Sequence, residues 1–177
     1  MPNAFAYPHP QSLPNVLKEA HNTMRATSVA LRNAMLHRVL SDGGAGIGTT
    51  TSKVRSNATI SYTINGEFKS KAATDDLWTL TGAVIPAGQK RTYLLLLDSA
   101  GAATVAASDT VLAAGTVTLP AWPADKAIVG SVTVSNGSGG NFTPGTTALN
   151  AASITTTYFD GVPAAMLPAA PTEDVES

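Results

Sequence analysis

The sequence predicts a mainly β protein: an antiparallel β-sandwich or small barrel, of jelly-roll or immunoglobulin-like type, preceded by one long N-terminal α-helix and flanked by extended terminal arms. Between Val54 and Asp160, short apolar stretches alternate with a period of two and are separated by Gly, Pro, Asn and Asp. Upstream, over residues 15–41, apolar and small residues recur at helical spacing as Val16, Leu17, Ala20, Met24, Thr27, Leu31, Ala34 and Met35. At both ends prolines accumulate and periodicity is lost.

Residues 1–14 hold Pro2, Pro8, Pro10 and Pro14, which remove backbone donors and keep this arm extended. Ser12 can cap the helix that follows, with Pro14 in its first turn, and Ser41-Asp42-Gly43-Gly44 supplies a stop. Lys18, Arg25 and Arg32 recur every seven residues beside Leu17, Met24 and Leu31, so one flank of the helix is cationic. That flank reads either as a solvated face or as a basic edge that meets an acidic partner. A stripe this thin leaves an isolated helix marginal in water, so the helix must pack on its own domain, on copies of itself or on a partner. Residues 42–53, with Gly43, Gly44, Gly46 and Gly48 ahead of a Thr/Ser run, read as a flexible linker. A phosphate-cradling glycine loop follows a strand and opens a helix, the reverse of this order.

Residues 54–160 form the predicted β domain. Ala58 to Ile64 alternates, Asn65-Gly66 is a hairpin turn, and Glu67 to Lys71 alternates back. Further strands are expected at Leu77–Thr81, Thr92–Asp98, Ala102–Ala107, Gly115–Leu119, Lys126–Val134 and Ser153–Phe159. Tyr93-Leu94-Leu95-Leu96-Leu97 does not alternate, which marks a central strand covered on both faces, within the sandwich or at a subunit interface. Its four leucines bring on the order of 6 to 12 kcal/mol of burial, at about 1.5 to 3 kcal/mol each against an extended chain. The small side chains of Ala102 to Ala107 suit its hairpin mate. Residues 161–177 return to Pro and Ala and close on Glu173-Asp174-Val175-Glu176, an extended acidic tail.

The 177 residues include 29 Ala, 23 Thr, 15 Gly and 14 Ser but no Cys, which excludes disulfides, Cys-ligated metals and thiol nucleophiles. With 13% charged residues and a formal net charge of −1, a partnership with nucleic acid is not expected. The start MPNAFAYPHP lacks the cationic head and apolar stretch of a signal peptide, and no run of about 18 apolar residues occurs, so synthesis in the cytoplasm and no membrane partner are expected. Histidine occurs only at positions 9, 21 and 37; a continuous helix would hold His21 and His37 about 24 Å apart, too far to share a metal. The β region has neither His nor Cys to serve a nucleophile, and the neighbours Asp75 and Asp76 read as turn or cap residues rather than a hydrolytic pair. No catalysis, cofactor or metal is expected. Trp78 and Trp122, with Tyr62, Tyr93, Tyr158 and Phe159, could form a sugar-stacking platform. Their placement in or beside strands favours core or interface packing.

Charge is divided along the chain. Residues 1–71 carry eight Lys/Arg against three Asp/Glu, and residues 72–177 carry three against nine. Such polarity suits a molecule whose ends meet different neighbours, or a repeating assembly of complementary surfaces.

The stretch Lys71-Ala72-Ala73-Thr74-Asp75, Leu80-Thr81-Gly82, Ile85-Pro86-Ala87-Gly88 and Arg91 to Asp98 resembles a segment of small virion structural proteins of tailed bacteriophages. So do Lys126 to Gly130, Phe142 to Asn150 and Tyr158-Phe159-Asp160, so the resemblance covers about residues 60–160. Such modules serve as capsid cement or decoration proteins, head fibres and tail parts. The resemblance implies a capsid cement protein located on the virion surface, with the major capsid protein as partner and self-association as a homotrimer. It also implies an alternative, a head-fibre or tail component that binds host glycans. Lys18, Arg25, Arg32, Trp78 and Trp122 are the interface candidates under these readings.

Overall fold

The computed structural model describes residues 17–25, 36–121, 123, 125–137 and 139–162. The chain divides into two units, Met1–Met35 and Leu36–Ser177. In the first, residues 17–25 form helix α1, and all nine are exposed, including Leu17 at 66% and Met24 at 69%. The expected arm over residues 1–14, the expected tail from residue 163 onward, and much of the expected helix lie outside the described residues.

The second unit is mainly β, built from β1 (Arg38–Val39), β2 (Ala45–Ile47), β3 (Lys53–Ser56), β4 (Ile60–Ile64), β5 (Glu67–Lys71) and β6 (Thr74–Thr79). It continues with β7 (Gln89–Leu97), β8 (Ala103–Ala107), β9 (Val111–Leu112), β10 (Ala127–Asn136) and β11 (Ile154–Asp160). Every pairing is antiparallel. The strands form three sheets, ordered β1-β4-β5, β2-β3-β6 and β11-β10-β7-β8 with β9 added on β7, and none closes into a barrel. The hairpin at Asn65-Gly66 is present, with φ of 52° and 79°, the positive pair that a two-residue type I′ turn demands.

Three segments depart from the sequence expectation. Arg38–Val39 is strand rather than the end of the 15–41 helix. Val39 pairs with Tyr62 and packs on the core, while Leu40 N–H donates to Ser61 O at 2.7 Å, so tertiary pairing overrides a weak helical pattern. Residues 42–53 are an ordered strand and turn rather than a flexible linker: β2 lies here, and a Cβ on Gly43 would meet Ile60 Cγ1 at 2.7 Å. That glycine serves close approach, not freedom. Gly115–Leu119 is not a strand; a turn closes there through Gly115 N–H to Leu112 O at 2.8 Å, and the strand in this region is β9.

The central strand is β7. Its hairpin mate is β8, as the small residues anticipated, and β10 flanks its other edge. Tyr93, Leu95 and Leu97 enter the main core together with residues of all three sheets, among them Val54, Ile60, Tyr62, Trp78, Val132 and Val134. Leu94 and Leu96 point the opposite way and, with Ile128, form a second cluster beneath Ala106, Leu119 and Val162. The chain therefore covers both faces of the leucine run itself.

Candidate interaction surfaces

Lys18 and Arg25 lie on α1, seven residues and about 10.5 Å apart along its axis, beside the exposed Leu17 and Met24. Arg32 and Trp122 lie outside the described residues.

Trp78 is not a surface residue. It pairs with Val54 on the inner side of β6, is 1% exposed, and donates its indole N–H to Leu96 O at 3.1 Å. That one bond satisfies its only polar group, which makes it a core residue and corrects the expectation of an interface or stacking role. The tyrosines follow it inward. Tyr62 is buried and donates to Asp98 O at 3.0 Å, and Tyr93 is buried in the main core. Burial raises the phenol pKa of both, and that of Tyr158 to about 12. Among the described residues of the imagined aromatic platform, only Phe159 is exposed, at 50%.

Asp75 and Asp76 sit within β6 rather than in a turn before a strand. Between the pairs Val54↔Trp78 and Ser56↔Thr74, β3 advances two residues while β6 advances four, and the two surplus residues bulge outward. Asp76 takes a φ of 54° there. Each carboxylate then grips one threonine twice. Asp75 accepts the Thr49 N–H at 3.0 Å and the Thr49 hydroxyl, while Asp76 accepts the Thr50 N–H at 2.9 Å and the Thr50 hydroxyl. Hydrogen bonds from Thr49 hold the Asp75 carboxyl below its ordinary pKa. Both acids are spent on fixing the turn at residues 48–52, and no group of metal-binding side chains occurs among the described residues.

The outer face of the β11-β10-β7-β8 sheet is covered at its centre, where Leu94, Thr92 and Ser131 are buried. Register places Phe159, Ser131, Leu94 and Ala106 in one cross-strand row, and Thr157, Thr133 and Thr92 in the next. Thr92 and Thr133 share a hydroxyl–hydroxyl bond of 2.7 Å, and Ser108 Oγ accepts the Thr92 N–H at 3.0 Å. Thr155 and Thr157 are exposed at the β11 end. At the edge of the separate β1-β4-β5 sheet, β5 carries Glu67, Lys69 and Lys71 opposite the buried Ile64, Tyr62 and Ile60, and Lys69 bonds Glu67 at 2.8 Å. Charges at inward positions of an edge strand oppose further strand pairing.

Phe68 and Leu112, exposed at 65% and 69%, were not singled out from the sequence, whereas Phe159, exposed at 50%, was named there only as part of an aromatic platform. For Phe68 and Phe159 the signal was alternation: each follows or precedes a neighbour whose side chain turns to the core side. No family model, curated protein or solved structure matches the chain.

Proposed function

We propose that the protein is a non-enzymatic capsid cement or decoration protein of a tailed bacteriophage, which binds over junctions of the major capsid protein and stabilises the shell against internal DNA pressure. The observation that carries this reading is α1: Leu17 and Met24 stand exposed beside Lys18 and Arg25, an attachment surface suited to a partner with apolar and acidic groups. The β unit supports it by being self-sufficient. Three sheets share one core, read here as an open sandwich, and both faces of β7 are covered within the chain. Several weak contacts on a preassembled lattice give high avidity, each offsetting the entropy of ordering its segment. Self-association as a trimer at a local symmetry axis belongs to the same reading.

The alternative, a head-fibre or tail component that binds host glycans, loses Trp78 and the buried tyrosines. It keeps Phe159 with the exposed Thr155 and Thr157. Copy number separates the two. A cement protein is expected in particles at a number comparable to that of the major capsid protein, measured by quantitative gel densitometry of purified virions. A few copies per particle would favour the fibre or tail reading.

A further inference from the structure

The chain contains two Asn-Gly pairs, Asn65-Gly66 and Asn136-Gly137, and the structure treats them in opposite ways. Asn65 is exposed at the tip of the β4–β5 hairpin, and its side-chain amide has no hydrogen-bond partner among the described residues. Gly66 adds no Cβ to obstruct its own backbone nitrogen, and its N–H makes one bond, to Leu36 O at 3.2 Å. Asn136 is 1% exposed and donates its amide to Ile85 O at 2.8 Å and to Gly140 O at 2.7 Å. Gly137 N–H is held by Ser153 O at 2.7 Å.

We propose that Asn65 is a site of spontaneous modification through a succinimide, and that Asn136 is protected from it by the fold. The Gly66 backbone nitrogen, losing its proton to solvent base, attacks Asn65 Cγ; a C–N bond forms and the side-chain nitrogen leaves as ammonia. Water then adds to either carbonyl of the ring, giving aspartate or isoaspartate at position 65. No redox change is involved.

The consequence is local and directional. Either product adds a negative charge next to Glu67. Isoaspartate also inserts a methylene into the main chain of a two-residue turn whose register pairs Ile64 with Glu67. It would disturb the Gly66 N–H bond to Leu36 O, which fastens the hairpin tip to the residues just before β1. Position 65 is thus an ageing site at the root of the N-terminal segment, whatever that segment binds.

Full-length protein incubated at mildly alkaline pH and physiological temperature tests this, read by peptide mass mapping and by labelling with an isoaspartyl methyltransferase. In the folded protein Asn65 is expected to convert more than about tenfold faster than Asn136, because Asn136 reacts only from a locally opened state. In concentrated urea the two rates are expected to converge. The folded variant Asn65→Gln is expected to lose the methyl label from the peptide that spans position 65, the label from the Asp42-Gly43 and Asp160-Gly161 peptides being read separately. Equal folded-state rates for Asn65 and Asn136, or no isoaspartate in the position-65 peptide of the parent protein, would overturn the assignment.

Discussion

An alanine at position 130 would place its Cβ 2.5 Å from Phe159 O, a backbone atom that cannot turn aside. Gly130 follows the β10 bulge at Ile128/Gly130 and pairs with both Leu95 and Asp160, so displacing it disturbs two ladders at once. Gly130→Ala is expected to cost about 1 to 3 kcal/mol, the usual range for forced overpacking, measured by urea unfolding. Asp75 makes a prediction of a different kind, in pH. Its folded pKa lies below the ordinary 3.8, so its contribution is present above that value and is lost as pH falls through the folded pKa. The thermal midpoint of Asp75→Ala is expected to lie below that of the parent protein at neutral pH. The gap is expected to close in acid below 3.8, where the unfolded carboxylate also protonates. A gap that persists unchanged in acid would show that the carboxylate charge is not what holds Thr49.

Among the elements, β7 is the one on which the fold turns. Leu95 belongs to the main core and Leu94 to the smaller outer cluster, yet both are fully buried within one chain. Leu94→Ala and Leu95→Ala are each expected to cost about 2 to 5 kcal/mol, and the loss at Leu94 is expected to be independent of protein concentration. A concentration-dependent loss at Leu94 would mean that copies of the chain cover that face. This strand was legible because five consecutive large apolar residues admit no alternation, and the β4–β5 hairpin because Asn-Gly dictates its turn. β1 and β2 were not. Two or three residues carry no period of their own, and Val39 becomes strand only because Tyr62 lies opposite it. The β6 bulge was hidden for a related reason: two surplus residues are surplus only against a partner strand, and the threonines that hold them lie 26 positions away.

At the scale of the whole molecule, the candidate site was half legible. Heptad spacing placed Lys18 and Arg25 on the helix, and their exposure beside Leu17 and Met24 agrees with a surface open to a partner. Aromatic identity misplaced Trp78, because a lone indole N–H is readily satisfied inside a core by one carbonyl. The charge division leaves the first 71 residues cationic and the remainder anionic, which favours ordered contacts between unlike neighbours over nonspecific binding. The proposed function is reinforcement of a capsid shell. Its most direct test is to titrate purified protein against expanded phage capsids that lack it, while following the temperature or osmotic shock at which they rupture. The predicted result is saturable binding with a raised rupture threshold, weakened when Lys18 and Arg25 are replaced by Glu. Absence of binding, or saturation with an unchanged threshold, would contradict it.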